Sequence, residues 1–241
     1  MCIIDRRMTA MVNEAAASGI GSDEIILEYE GKTCPYRERT GFSILKRLFD
    51  IGSSLLALTV LSPILVVSAI CICLDDGQGK PLFVQKRVGK NGKTFRLYKF
   101  RTMCVDAEAK KASLRELNEA DGPAFKIKDD PRITKVGKFL RSTNIDELPQ
   151  LLNILMGDMS VVGPRPPLPD EVEQYSKSDR QRLLVTPGLT CFWQASTDRN
   201  DISFARWMEL DRKYIAERSV GVDLKLILKT VYVIFRHHDG R

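Results

Sequence analysis

Asp146 and Glu147 are neighbouring carboxylates, with Arg141 ahead of them and Arg165 beyond, the latter inside Gly163-Pro164-Arg165-Pro166. Those residue types suit phosphate chemistry: guanidinium forks hold oxyanions, while a carboxylate attacks phosphorus or takes a proton. Taken alone, the acidic pair would merely cap the positive end of a helix, where carboxylates are favoured. The arginines and the rigid Gly/Pro loop shift the weight toward chemistry.

The elements that must hold these groups can be read from spacing. Leu148, Leu151, Leu152 and Leu155 recur at helical intervals, so an amphipathic helix follows the acidic pair. Asn144 with Glu147 predicts a capping box, and Pro149 is tolerated near a helix start. Asp146 and Glu147 are therefore expected in the first helical turn. Upstream, residues 82–103 predict a β-hairpin turning at Asn91-Gly92, with Lys99 and Arg101 sharing one face of its second strand. Residues 106–119 read as a surface helix, and residues 129–134 as a turn into a short basic helix over 135–141. Downstream, residues 170–184 predict a polar surface helix and Pro187-Gly188 a tight turn. Phe192-Trp193 then fits a headgroup-level or base-stacking position as well as a buried one.

Residues 42–49 place apolar side chains on one face and Lys46 and Arg47 on the other, and residues 51–74 carry no charge, a length sufficient to cross a bilayer. Two features oppose a simple span. Ser62-Pro63 lies at its midpoint, where proline removes a helix hydrogen bond. Basic residues also flank both ends, Arg37, Arg39, Lys46 and Arg47 before and Lys80, Lys86, Arg87, Lys90 and Lys93 after. If positive flanks stay cytoplasmic, both ends lie on one side. A helix that enters one leaflet and returns, its freed carbonyl satisfied by the Ser62 hydroxyl or by packing, stands beside a kinked span. The helical stretches around Phe204–Ile215 and over 220–235 mix apolar and basic residues, which fits interfacial amphipathic helices as well as core packing.

With 241 residues and 44% hydrophobic content, the chain suits one domain with a real core over 41–241, its 42–74 segment membrane-embedded. Residues 1–40 read as a flexible or loosely docked extension without signal-peptide features. The net charge of +6 calls for an anionic partner, membrane headgroups or nucleotide. No nucleic-acid-binding signature is present. The six cysteines lack paired metal-ligand spacing, which argues for reduced thiols and no structural zinc. His237 and His238 sit at a polar terminus and are assigned no role.

The run 141–166 resembles the signature of bacterial sugar transferases, the monotopic phosphoglycosyl transferases that load a sugar phosphate onto a polyprenyl phosphate. Tyr98-Lys99-Phe100-Arg101-Thr102-Met103, Asp130-Pro131-Arg132-Ile133-Thr134 and Thr186–Gln194 are similar to further family blocks, although Cys191 stands where many members carry glycine. The resemblance runs from about Phe42 to the C-terminus. It implies an α/β, mostly helical fold with a re-entrant broken helix at Ser62-Pro63, interfacial helices and a small hairpin around a cytosolic-face active site. It implies Asp146 as nucleophile, Glu147 as acid/base or positioning group, and Lys99, Arg101, Arg141 and Arg165 as phosphate holders. Arg132 would turn toward the nucleotide, with a structural turn an equal alternative. Mg²⁺ would bridge Asp146 and the substrate diphosphate, since it prefers oxygen ligands. The substrates implied are a UDP-sugar and undecaprenyl phosphate, at the bacterial inner membrane on its cytoplasmic face. The sugar (galactose, glucose or an N-acetylated one) and a homo-oligomeric state stay open. The alternatives from other classes are an inactive membrane-anchored scaffold and a nucleotide-sugar-binding regulator.

Overall fold

The computed structural model of the protein describes residues 25–76, 79–111, 113–114, 118–119, 121–123, 127, 129–196 and 202–236. Ile26–Tyr29 (β1) and Lys32–Pro35 (β2) pair antiparallel across a turn at Glu30-Gly31. Leu27 is 1% exposed and packs with Val162, Val185, Tyr214, Ile215 and Leu226. Glu30 pairs with Arg206 and Lys213, and Arg212 donates to the Glu28 carbonyl. The described part of the 1–40 extension is therefore built into the core and is not loosely docked. Apolar side chains at alternating strand positions, Leu27 and Tyr29, put one face inward.

α1 (Thr40–Val60) is fixed to three other elements by charged side chains within little more than one helical turn, Lys46, Arg47 and Asp50. Lys46 pairs with Asp223 at 2.5 Å. Arg47 donates to the Ile154 and Leu155 carbonyls at 2.5 and 2.7 Å. The buried Asp50 carboxylate accepts from Ser160 Oγ and the Val161 amide at 3.0 and 2.9 Å. Away from these contacts α1 exposes Ile44, Leu45, Leu48, Leu55 and Leu56.

α1 then bends by 61° into α2 (Ser62–Asp76). The cause is Pro63, which brings no N–H to the Thr59 carbonyl; Ser62 Oγ donates to that carbonyl instead at 2.8 Å. The break expected at Ser62-Pro63 is present, and so is the hydroxyl that satisfies it. Among the described residues no single helix is long and apolar enough to cross a membrane, and α1 and α2 reach that standard only as a bent pair.

β3 (Leu82–Val88) and β4 (Thr94–Phe100) form the expected hairpin, in register from Leu82↔Phe100 to Val88↔Thr94. Asn91 and Gly92 both take positive φ, 56° and 76°, which is the requirement of the tight turn their sequence favours. Within the stretch expected to be one surface helix, α3 (Ala107–Lys111) is helical, and several later residues lie outside the described ones. Thr134 caps α4 (Lys135–Ser142) by accepting from the Gly137 amide at 2.9 Å, as a turn into a basic helix predicts.

The acidic pair is placed differently from the capping-box expectation. Asn144 takes the left-handed conformation (φ 55°) and makes no side-chain cap; Ile145–Glu147 is a separate 3-10 turn, and α5 (Gln150–Met156) starts after Pro149. Asparagine tolerates that conformation, and using it there turns the chain before the helix starts. β5 (Ser160–Val162) runs parallel to β6 (Gly188–Thr190), which replaces the tight turn expected at Pro187-Gly188. A Cβ on Gly188 would lie 2.0 Å from the Gly163 nitrogen, so the segments meet because glycine leaves room. The helix expected over 170–184 is also broken, into α6 (Pro169–Glu173) and a 3-10 turn, Asp179–Leu184, whose Arg182 is buried.

α7 (Phe204–Glu217) buries Met208, Asp211, Tyr214 and Ile215, so its inward face packs in the core. α8 (Val220–Arg236) buries Leu226 and Val233 and exposes Val220, Leu224, Leu228, Val231 and Tyr232. His237 and His238 lie outside the described residues. Among the described residues the result is mostly helical, with three two-stranded sheets.

Candidate active site

A cleft of about 790 Å³ opens between the β3–β4 hairpin, the 3-10 turn Ile145–Glu147, the loop after β5 and the start of α7. Asp146 lies against its wall, only 6% exposed, with Glu147 beside it. Lys99 reaches both carboxylates from β4, at 3.6 Å from Asp146 Oδ2 and 3.1 Å from Glu147 Oε1. Arg165 approaches the same Glu147 oxygen at 3.6 Å, and Gln194 Nε2 donates to its other oxygen at 3.2 Å. Two acids, an ammonium and a guanidinium thus share one small volume. Such a group can hold phosphate oxygens and present a carboxylate to the phosphorus.

The Arg165 loop explains how that guanidinium is presented. Pro164, Pro166 and Pro167 have no amide hydrogens, so the loop cannot bond itself into place. Other elements hold it by four consecutive carbonyls. Gly188 N donates to Pro164 O at 2.9 Å, Arg182 Nη2 to Arg165 O at 2.9 Å, Arg87 Nη1 to Pro166 O at 3.0 Å, and Val88 N to Pro167 O at 2.9 Å.

Arg141 lines the cleft and donates through Nε to Thr102 Oγ1 at 2.9 Å. Burial lowers its pKa from the usual arginine value, while the Asp146 and Asp130 carboxylates oppose the shift. Arg101 lines the cleft and donates to the Lys80 carbonyl at 3.0 Å. Arg132 also borders it, but its guanidinium is bound to Asp130 at 2.6 Å and to the Ala107 carbonyl at 3.2 Å. That pairing holds the Asp130 carboxyl below the usual range. Of the residues singled out from the sequence, Asp146, Glu147, Lys99 and Arg165 form one cluster, with Arg141, Arg101 and Arg132 around the same cleft. Ser62 and Pro63 lie at the helix bend, away from it.

Arg87, Trp193 and Gln194 line the cleft too and were not singled out as site residues. For Arg87 a signal existed: hairpin register puts Phe83 opposite Lys99 and Arg87 opposite Phe95, so alternation places Arg87 on the Lys99 face. Burial, and then the nearby Arg165 charge, lower the Arg87 pKa to about 10.

Among the described residues no group of three or more His, Cys, Asp or Glu could hold a metal ion. Asp146 and Glu147 nevertheless fit the magnesium mode in which one or two carboxylates are completed by water and substrate phosphate. Cys34, Cys71, Cys73, Cys104 and Cys191 are free thiols, and burial pushes the Cys191 thiol up to about 12, which makes it an inert core group.

A family model for bacterial sugar transferases matches residues 41–237. The chain belongs to that family. Galactosyl transferase CpsE of Streptococcus agalactiae is 47% identical to this family member over 191 residues, 79% of this chain and 42% of that protein. Undecaprenyl-phosphate galactose phosphotransferase of Salmonella typhimurium is 40% identical over 203 residues, 81% of this chain and 41% of that protein. The chain thus spans about two fifths of these relatives. The exopolysaccharide production protein ExoY of Sinorhizobium fredii is 40% identical over 195 residues, 78% of this chain and 84% of ExoY.

Proposed function

We propose that this sugar transferase moves a sugar 1-phosphate from a UDP-sugar to undecaprenyl phosphate, releasing UMP, as the first membrane step of a bacterial surface polysaccharide. The observation that carries this reading is the Asp146–Glu147 pair with Lys99 and Arg165 beside it. Family membership and relatives named for galactose transfer to a lipid carrier support it.

In the first step a carboxylate oxygen of Asp146 attacks the sugar-bearing phosphorus of the UDP-sugar. An acyl-phosphate bond forms, the diphosphate bridge breaks, and UMP leaves with the electron pair. In the second step a phosphate oxygen of the polyprenyl carrier attacks that phosphorus, giving a lipid-linked diphosphate sugar and restoring the Asp146 carboxylate. Lys99 and Arg165 offset the charge that builds on the phosphate oxygens, with Arg141 and Arg101 along the same cleft. Glu147 positions both cations and takes part in proton handling. Arg132, bound to Asp130, serves the turn that supports α4. Mg²⁺ held by Asp146 and substrate oxygens would neutralise phosphate charge when bound.

The lipid acceptor stays in the bilayer, so the cleft must lie at the headgroup plane. The exposed apolar faces of α1, α2 and α8 support docking on a membrane, which this reading takes to be the inner membrane approached from the cytoplasmic side, with the 61° bend entering and leaving one leaflet. The test is intact-protein mass after incubation with individual UDP-sugars and Mg²⁺ without lipid. A hexose-phosphate or acetamidosugar-phosphate adduct is expected, absent in Asp146→Asn. UMP release that requires added polyprenyl phosphate, with no adduct formed in its absence, would refute the covalent route, and no adduct together with no turnover when the lipid is supplied would favour a scaffold.

A further inference from the structure

Arg182 and Asp211 face each other at 2.8 Å with side chains 1% and 2% exposed, outside the Asp146–Glu147 cluster. A buried ion pair of this kind is seldom kept for stability alone, since desolvating two charges offsets much of their attraction. What Arg182 touches suggests why it is there. Its Nη2 donates to the Arg165 carbonyl at 2.9 Å, and its Nη1 to the Tyr175 hydroxyl at 2.7 Å. Its guanidinium carbon also lies 4.9 Å from the centre of the Trp207 ring. Trp207 stacks on Trp193 at 4.8 Å with 22° between the planes, and the Arg165 guanidinium lies 5.9 Å over Trp193. The sequence Arg182–Trp207–Trp193–Arg165 is therefore a column of alternating contacts, cation on ring, ring on ring, ring on cation. Arg182 grips Arg165 twice, by its main chain directly and by its side chain through two indoles.

We infer that Arg182, neutralised by Asp211, is the positioning residue for Arg165, setting both the height of its loop and the direction of its guanidinium. The inference rests on the proposed phosphate-holding role of Arg165. A lysine at 182 would keep the charge but lose the planar fork that serves Asp211, Tyr175 and the Arg165 carbonyl together.

The experiment is a double-mutant cycle on the full chain, with binding of UMP read by indole fluorescence. Trp193 and Trp207 are the two tryptophans of the chain, and both line the cleft. Arg182→Lys should weaken UMP binding about tenfold on the native background and less than about twofold on an Arg165→Lys background, as coupled neighbours do. In turnover the same substitution should lower kcat for the UDP-sugar about tenfold on the native background and less than about twofold on the Arg165→Lys background, as expected when a group that offsets developing phosphate charge is misplaced. Equal penalties on both backgrounds would overturn the inference. If Arg165→Lys itself leaves UMP affinity unchanged, the phosphate-holding reading falls and the inference falls with it, a distinguishable result. Should Arg182→Lys not fold, Trp207→Leu tests the ring stack alone, read through Trp193: a UMP-binding loss that shrinks on the Arg165→Lys background supports the side-chain half of the inference, and equal penalties overturn that half.

Discussion

The ion pairs around Asp146 and Glu147 differ in length from two others, Arg132–Asp130 on another wall of the cleft and Arg182–Asp211 behind it. Lys99 stands 3.6 Å from Asp146 and 3.1 Å from Glu147, and Arg165 stands 3.6 Å from Glu147. Arg132–Asp130 and Arg182–Asp211 close to 2.6 and 2.8 Å. The short pairs are buried or sequence-local and lock a turn or a loop, because separating them would strand a charge away from water. In the longer pairs Lys99 and Arg165 are shared around two adjacent carboxylates, and a phosphate entering there can replace long contacts with charge-assisted hydrogen bonds of about 2.7–2.9 Å. On the proposed function, similar residue types serve architecture where each cation closes on one carboxylate and ligand binding where cations are shared around the acidic pair.

Four substitutions test that contrast. Asp146→Asn should lower turnover about 1000-fold or more, as removal of an attacking group does, with the melting temperature unchanged. Arg132→Met should act the other way, costing about 3 kcal/mol of stability by leaving Asp130 without its partner, which denaturant titration would show. A normal midpoint together with weakened UDP-sugar binding would instead make Arg132 a ligand group. Lys99→Gln should lower turnover about 100-fold, within the range for a lost electrostatic group, and leave the unfolding midpoint within experimental error. The smallest effect is a pH dependence at Asp211. Burial pushes its carboxyl up to about 6 against the pull of Arg182 and Arg212, from an unperturbed 3.8. The folded protein then takes up this proton at higher pH than the unfolded chain does. The stability it contributes is full below about 4 and is lost as pH rises through about 6. In thermal scans, wild type should gain on Asp211→Asn as pH falls from 7 to 4.5, and a constant gap would contradict the assignment.

Much of the outline was legible in the residues, and what was missed has a common cause. Local signals worked: Asn91-Gly92 marked the hairpin, Ser62-Pro63 the bend, and Thr134 the start of a basic helix. Asp146, Glu147, Lys99 and Arg165 were picked out by residue type and family resemblance, and the fold brings them together. Long-range pairings escaped. β5 and β6 have three residues each and meet only because Gly163 and Gly188 allow it, which no periodicity reveals. Arg182 lay in a polar stretch that read as surface, whereas its burial depends on Asp211 and Trp207 arriving from α7. Residues 1–40 were read as loose because the partners of Leu27 lie far along the chain. Asn144 and Glu147 fitted a capping box by spacing, but the left-handed turn at Asn144 set the outcome.

The walls of the cleft come from points as far apart as Phe83 and Trp207. Closing so long a loop carries an entropic penalty before its contacts can repay it, so the cleft belongs among the late events of folding. During synthesis the hairpin and the acidic turn leave the ribosome well before Trp207, and until that indole arrives the Trp193 face of the Arg165 column has no backing. A nascent chain therefore carries its carboxylates before it has the complete column that aims Arg165. On the proposed function, capacity to hold a nucleotide should switch on as the first turn of α7 docks.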